Sequence, residues 1–249
     1  MHGFFVELDT LDLTVSPTRL LEQVFSWTGV RFSTRGELVT PSSAPMYRYA
    51  WTCLECCCCL SLCATSEGRI LENCLGRVQL TPETITTSLR QAHVPPRFDA
   101  LVITDTPMTY HLWAAVDVAV FQPRFVMLEV NPAFAPPDSR TVPPNVTHWD
   151  GNDDYYGASL SALEIVSRSK GYTLVYVDVT GERAVFVHQD VLEDALGRTG
   201  LSIAADGASA SVKALADVGQ LHRPPNLFRS GGGYAQSKGK LWFRVQDTA

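Results

Sequence analysis

Gly3-Phe4-Phe5-Val6-Glu7-Leu8 predicts a buried first strand, around which the rest of the chain can be placed. Asp9-Thr10-Leu11-Asp12-Leu13 follows it, at the point where a nucleotide-binding fold has a glycine-rich turn. Glycine belongs in that turn because the backbone must approach the ligand closely and often needs a positive φ. The sequence has no glycine between Gly3 and Gly29. We therefore expect the framework of a nucleotide-binding enzyme without its cofactor turn.

The composition is that of a globular protein, not of a disordered chain or a coiled coil. Of the 249 residues, 45% are hydrophobic and 18% are charged, so the chain can bury a sizeable core. The net charge of −6 argues against nucleic-acid binding by bulk charge. The end of the chain differs, because residues 219–249 contain five basic residues and one acid. This basic tail predicts contact with RNA or an acidic partner through Arg223, Arg229, Lys238, Lys240 and Arg244.

Six of the seven cysteines lie between Cys53 and Cys63, which indicates a reducing compartment and not a secreted disulfide framework. One interpretation is a zinc or iron–sulfur site. The other is a buried segment in which cysteine serves as a small apolar residue. Interspersed leucines and the lack of a second Cys-x-x-Cys pair favour packing, so no metal is expected. The metal ligands in the first interpretation would be Cys53, Cys56, Cys59 and Cys63.

The sequence predicts no membrane span, because no stretch approaches the roughly 18 apolar residues that a span requires. The nearest such stretch, Cys56–Cys63, is short. No secretory signal and no Arg- and Ser-rich leader precede the first strand. We therefore expect a protein that is not secreted, and any organellar leader would be missing from this sequence.

Strands and helices alternate along the chain, which predicts an α/β fold with a mostly parallel sheet. Tyr172–Val179 and Arg183–His188 predict an antiparallel hairpin at the edge of that sheet. Residues 1–196 are expected to form the α/β domain, and residues 197–249 an irregular, basic C-terminal extension. The other expected strands are Phe4–Leu8, Val30–Phe32, Phe98–Thr104 and Phe125–Val130, and the expected helices are Thr18–Trp27, Thr81–His93, Tyr110–Val120 and Tyr156–Lys170.

Two segments could place polar side chains at the carboxyl ends of the strands, where α/β proteins bind ligands. Glu129-Val130-Asn131 closes a strand, and its polar side chains could contact a substrate or a metal. Asn131 could equally cap a turn before Pro132. Tyr155–Ser159 could present a hydroxyl at the same edge, but a helix N-terminus capped by Ser159 is favoured.

Several motifs follow one another in the order found in a known enzyme family. GFFVEL at residues 3–8 precedes Ser16, Thr18 and Leu20-Leu21-Glu22, and Glu129-Val130-Asn131 comes later. The most specific motifs are Tyr156-Gly157-Ala158-Ser159-Leu160 and the Gly171-Tyr172 strand. On these motifs the chain resembles the FkbM-like family of S-adenosylmethionine-dependent methyltransferases, over roughly residues 3–192. The resemblance implies a Rossmann-like methyltransferase fold.

The positions that would hold S-adenosylmethionine in that family are changed in this chain. The family's G-A-N-D-G turn falls on residues 9–13, where Asp12 alone is kept. The acid that would hold the ribose hydroxyls falls on Ser33, and the acidic D-I-D-G-N-D segment falls on residues 104–109. We therefore expect no bound cofactor. The degenerate cofactor positions are Glu7, Asp9, Asp12, Ser33, Thr104 and Thr106.

The leading hypothesis is a catalytically inactive methyltransferase-like protein that serves as a structural or assembly subunit of a large complex. Its partners would be other protein subunits, with RNA as a further contact of the basic tail. A mitochondrial ribosome or another organellar assembly is the expected complex, which would place the protein in the mitochondrial matrix and otherwise in the cytoplasm.

Two alternatives remain open. One is an active S-adenosylmethionine-dependent methyltransferase with a remodelled pocket that uses Glu7, Asp12 and Glu129. The other is a metal-binding module built on the Cys53–Cys63 cluster.

Overall fold

The computed structural model describes residues 3–8, 16–32, 80–104, 106–199, 217–224 and 234–247. The strands in those residues are β1 (Phe4–Leu8), β2 (Thr28–Phe32), β3 (Arg97–Ile103), β4 (Gln122–Glu129), β5 (Arg140–Thr141), β6 (Tyr172–Val177), β7 (Arg183–His188) and β8 (Phe243–Arg244). The helices are α1 (Arg19–Gln23), α2 (Ile85–Gln91), α3 (Thr109–Ala115), α4 (Leu160–Ser169), α5 (Gln189–Thr199) and α6 (Val218–Leu221).

Six of these strands belong to a mixed sheet with associated helices, so the predicted α/β class is confirmed. The chain divides into two compact units. Unit 1 comprises Met1–Asp105 and Ala115–Pro123, and it contains β1, β2 and β3. Unit 2 comprises Thr106–Ala114 and Arg124–Ala249, and it contains most of β4 together with β6 and β7. In unit 2, β5 and β8 form a separate two-stranded ladder.

The three strands of unit 1 are parallel and lie in the order β2-β1-β3. Val6 on the central strand is in register with Val30 on β2 and Leu101 on β3. The position of β1 between two parallel strands fits its four buried residues, which are apolar except for Glu7. The predicted strand Phe4–Leu8 is confirmed at both ends.

Two glycines of unit 1 allow aromatic rings to lie directly on the backbone. A Cβ on Gly3 would come within 2.3 Å of the Trp27 ring, and a Cβ on Gly29 would come within 2.5 Å of the Phe5 ring. Any larger residue would therefore displace a packed ring. Gly3 and Gly29 therefore have a packing role in this fold.

The three strands of unit 2 lie in the order β4-β7-β6, and β7 is antiparallel to both neighbours. Phe186 on β7 is in register with Val126 on β4 and with Leu174 on β6. β4 and β6 therefore point in the same direction, with one reversed strand between them. The predicted hairpin is confirmed, but its antiparallel strand β7 lies one position in from the edge, because β6 is the last strand of the sheet.

The predicted ranges of α3 and α4 were too long. Near each observed boundary, a polar side chain forms a hydrogen bond with a backbone N–H group. We expected α4 to start at Tyr156, but it starts at Leu160 because Ser159 accepts a hydrogen bond from the Ala162 N–H. The favoured capping role of Ser159 is thus confirmed. We expected α3 to reach Val120, but it ends at Ala115, and Asp117 then closes a turn through a hydrogen bond from the Ala119 N–H to its carboxylate, at 3.0 Å.

Residues 217–224 lie against the turn between β6 and β7. Gly181 in this turn has a φ of +79°, and a Cβ on it would come within 2.3 Å of the Arg223 carbonyl oxygen. On the same segment, His222 Nε2 lies 3.1 Å from the carbonyl oxygen of Pro132, just beyond β4. The close approach of two backbones therefore requires glycine at this turn.

We predict that Gly181→Ala destabilises the protein more than Gly151→Ala does. Both glycines have a φ of +79°, so each substitution introduces about 1–2 kcal/mol of left-handed strain. A Cβ on Gly151 has no atom within 4 Å, whereas a Cβ on Gly181 overlaps the Arg223 backbone. Urea unfolding of both variants, with proteolysis of residues 217–224 as a second measurement, tests the prediction. Equal losses of stability and equal protection would contradict it.

Candidate functional site

Glu7 lies one residue before the end of β1, at the carboxyl end of the parallel strands of unit 1. It is in register with Arg31 on β2 and with Val102 on β3. Residues in register on neighbouring strands point to the same face, so the side chains of Glu7 and Arg31 are adjacent. The exposed fraction of Glu7 is 0%. A carboxylate in this position needs a partner, because burial of an unpaired charge is strongly unfavourable.

Three side chains surround the Glu7 carboxylate. Ser16 Oγ donates to it and lies 2.9 Å from Oε1 and 2.7 Å from Oε2. The Thr18 hydroxyl donates to Oε2, and Arg31 Nε donates to the same oxygen at 2.8 Å. Thr18 Oγ1 in turn accepts from an Arg31 terminal nitrogen at 2.7 Å. The two hydroxyls precede α1, so the carboxylate ties β1 to β2 and to the start of this helix.

Arg31 has a second carboxylate partner. Its other terminal nitrogen lies 3.1 Å from Glu22 Oε2 on α1, and its guanidinium carbon lies 4.7 Å from the centre of the Phe5 ring. Both Arg31 and Glu7 are buried, so the guanidinium is enclosed by oxygens and by one aromatic face. We refer to Glu7, Ser16, Thr18, Glu22 and Arg31 as the Glu7–Arg31 cluster.

In the cluster, the single guanidinium of Arg31 pairs with the carboxylates of both Glu7 and Glu22. Loss of one partner from a buried ion pair typically costs about 3–5 kcal/mol, because the other charge is left uncompensated. Burial raises the pKa of Glu22, and the neighbouring Arg31 guanidinium partly offsets that rise.

The two degenerate positions after β3 have local structural roles. Thr104 is buried, and its N–H donates to the Leu8 carbonyl at 3.3 Å. Its hydroxyl has no hydrogen-bond partner among the residues that the structure describes. Thr106 Oγ1 accepts from the Met108 N–H at 3.2 Å, just before α3. Hydroxyls therefore occupy both positions at which the family resemblance implies acids.

Glu129, the last residue of β4, accepts a hydrogen bond from the Thr106 N–H at 3.2 Å. It is half-buried and in register with Arg183 on β7. Both contacts lie within unit 2. They give Glu129 a role in fixing the segment before α3.

Asn131 is a structural residue and not a free ligand. Its side-chain nitrogen donates to the carbonyls of Asp154, at 2.7 Å, and Tyr156, at 2.8 Å. Its side-chain oxygen accepts from the Ala133 N–H at 3.1 Å, which closes a turn around Pro132. The exposed fraction of Asn131 is 0%, and its contacts with Asp154 and Tyr156 are buried. The turn-capping interpretation of Asn131 is the one that the geometry supports.

The described basic residues of the tail differ in their contacts with other protein groups and in their exposure. Lys240 Nζ lies 2.6 Å from Asp153 Oδ2, and this hydrogen bond raises the pKa of Lys240. Arg223 donates to the backbone carbonyl of Gln220 at 2.7 Å. Lys238 and Arg244 are exposed. An Arg244 terminal nitrogen lies 3.9 Å from Asp138 Oδ1.

An aromatic surface of unit 2 was missed by the sequence analysis. Phe134, Trp149, Tyr155 and Tyr156 form what we call the aromatic cradle, and residues 234–247, which we call the C-terminal strap, lie across it. The prolines of residues 132–154 predict a loop, but they do not predict which residues pack against that loop. The aromatic residues of this loop and of the tail could have indicated packing. Their positions in the sequence do not predict which rings pair with one another.

The remaining predicted site residues lie outside the described part of the chain. They are Asp9, Asp12, Ser33, Cys53, Cys56, Cys59, Cys63 and Arg229. Within the described part, no group of three or more His, Cys, Asp or Glu side chains is placed to hold a metal ion. The described helices include none with the length and apolar character needed to cross a membrane.

We predict that Glu22→Gln changes the pH dependence of stability. The pKa of Glu22 is raised in the folded state, so the folded protein binds more protons than the unfolded chain as pH rises from about 4.5. In that window, Glu22 makes stability fall with rising pH, and the glutamine variant should lose this decline. Urea unfolding between pH 4 and pH 7 measures the difference.

Glu83→Gln is the matched control of opposite sign. Hydrogen bonds, first with Thr81, lower the pKa of the exposed Glu83 carboxyl, so its contribution rises with pH and disappears in the variant. If both variants changed the slope in the same direction, the explanation based on burial of Glu22 would be wrong.

Known proteins provide no information about this site. No family model, curated protein or solved structure matched this chain. The resemblance to FkbM-like methyltransferases therefore depends on the motifs and stays a proposal.

Proposed function

We propose that this chain is a catalytically inactive methyltransferase-like protein that serves as a structural or assembly subunit of a large complex. The observation that carries the proposal is the internal neutralisation of Glu7. Its carboxylate, at the carboxyl end of β1, is fully buried and is bonded to Ser16, Thr18 and Arg31. This is the edge of a parallel sheet at which α/β enzymes hold their cofactors.

The strand arrangement supports the methyltransferase-like part of the proposal. β1, β2 and β3 are parallel, and in unit 2 β4 and β6 share a direction with β7 reversed between them. A mostly parallel sheet with one antiparallel strand near its edge is what the family resemblance implies.

The chemistry at the degenerate positions supports the loss of activity. A ribose needs a carboxylate acceptor, and a cofactor turn needs a close backbone approach. Thr104 and Thr106 offer hydroxyls where acids are implied, and the Thr106 hydroxyl is used by the Met108 N–H. Glu7, the acid that is kept on β1, has no exposed surface. The alternative is an active site remodelled around Glu7, Asp12 and Glu129. The contacts of Glu7 and Glu129, the two of these residues that the structure describes, do not support it.

The contact surface for the complex would be the outer side of the C-terminal strap. Lys238 and Arg244 are exposed there, and so are two large apolar side chains, Leu241 at 81% and Phe243 at 52%. Exposed apolar residues next to cations suit a partner with apolar and acidic groups, or the phosphates of RNA. A mitochondrial ribosome or another organellar assembly in the mitochondrial matrix is the complex that we propose, with the cytoplasm as the alternative compartment.

We predict that S-adenosylmethionine does not stabilise the purified protein. A site with a dissociation constant of about 10 µM would gain about 2.7 kcal/mol at 1 mM ligand, which a thermal shift detects readily. Titration calorimetry and thermal unfolding with 1 mM ligand should both show no effect, with ATP as a control for adenine binding. A rise in Tm that Glu7→Gln abolishes would establish a working cofactor site and refute the proposal.

We also predict that Lys238→Glu combined with Arg244→Glu weakens association with the complex. Two charge reversals on the contact surface place like charges together, so we expect about tenfold less co-purification of partner proteins with the tagged chain. Arg90→Glu with Arg97→Glu is the matched control, since both residues are exposed and lie in unit 1. Partner yields quantified by mass spectrometry should fall for the first pair and stay unchanged for the second. Equal yields for both pairs would show that the strap is not the contact surface.

A further inference from the structure

The C-terminal strap contacts the aromatic cradle through two ring anchors. Tyr234 packs edge-on against Trp149 and Tyr156, with ring centres 4.7 Å and 5.7 Å apart. Trp242 packs in the same way against Phe134 and Tyr155, at 4.7 Å and 5.0 Å. Edge-to-face ring pairs contribute about 0.5–1.5 kcal/mol each beyond the area that they bury, and they fix orientation. The anchors therefore give the strap a defined position and register.

Backbone hydrogen bonds run along the strap between these anchors. The Asp154 N–H donates to the Ala235 carbonyl at 2.9 Å, and the Tyr155 hydroxyl donates to the Leu241 carbonyl at 2.6 Å. Farther on, Arg244 of β8 pairs antiparallel with Arg140 of β5. Extended peptides bind other proteins in this way, with main-chain bonds for affinity and side-chain pockets for specificity.

Charges match on both sides of the contact. Lys240 of the strap pairs with Asp153 at 2.6 Å, and its ammonium lies 4.8 Å from the centre of the Tyr155 ring. Asp247 of the strap pairs with Arg168 on α4. The occupant of the cradle is thus defined as an extended segment with two aromatic anchors, a lysine between them and an acid after them.

The strap lies on unit 2 without entering its core. No residue of 234–247 is among the buried side chains, whereas Tyr156 and Asp154 beneath it are buried. The cradle is also shaped by its own contacts, because Asn131 holds the carbonyls of Asp154 and Tyr156. Asn131 therefore fixes part of the cradle backbone through contacts that do not involve the strap.

We propose that the aromatic cradle is a peptide-binding site, and that the C-terminal strap is its resident ligand. The site takes an extended aromatic and basic segment with the pattern of residues 234–247, in cis from the same chain or in trans from a second copy. The proposal depends on the docking geometry and not on the loss of methyl transfer, so each can fail alone.

The test cuts the strap from the folded protein. A protease recognition sequence replaces Gly231-Gly232-Gly233, and the full chain is cleaved there after purification. A fluorescent peptide of residues 234–247 is then added, and its binding is followed by anisotropy. The cleaved protein should exchange its strap for the labelled peptide, and the uncut protein should bind the peptide at least about tenfold more weakly, because a tethered segment competes at a millimolar effective concentration.

Two peptide variants provide a matched pair of aromatic truncations. Trp242→Ala removes an anchor and should weaken binding by more than about tenfold. Phe243→Ala removes a neighbouring side chain that is 52% exposed, and binding should change less than about threefold. Failure of the labelled peptide to bind, equal effects of the two truncations, or unfolding of the protein on cleavage would each overturn the proposal.

Discussion

The Glu7 carboxylate has no access to water, and the arrangement of β1, β2 and α1 depends on how its charge is neutralised. Arg31 can reach it because the two residues are in register on neighbouring parallel strands. A slip of β2 by one residue would turn Arg31 to the opposite face and leave the acid unpaired. Ser16 and Thr18 add hydroxyls from the segment before α1, so one buried charge fixes a register and a helix position together.

These contacts also occupy polar groups at the carboxyl end of the parallel strands of unit 1. In α/β enzymes this edge is left polar and accessible so that a ligand can satisfy it. Here Arg31 and two hydroxyls satisfy Glu7, and the Thr106 hydroxyl caps the segment before α3. The C-terminal strap of unit 2 presents exposed polar and apolar groups, among them Lys238, Leu241 and Phe243.

Predictions from the sequence succeeded where a single local signal dominates. The largely apolar segment Phe4–Leu8 located β1, and the two segments Tyr172–Val179 and Arg183–His188 located the hairpin of β6 and β7. They failed at helix ends, since apolar periodicity continued past Ser159 and Asp117 while these side chains bonded the backbone and set the boundary. Of the candidate site, the sequence singled out Glu7 and Asn131, but not the partners that make both of them structural residues.

From the residue pattern alone followed the α/β class, the order of the strands and helices of the six-stranded sheet up to β7, and the replacement of acids and glycines at the positions implied by the resemblance. These depend on residue type and on spacing along the chain. The pairing of Glu7 with Arg31 joins residues 24 positions apart, and the bond from Tyr155 to Leu241 joins residues 86 positions apart. Such contacts depend on strand register and ring orientation, which exist only once the chain has folded, and they place the strap on its cradle.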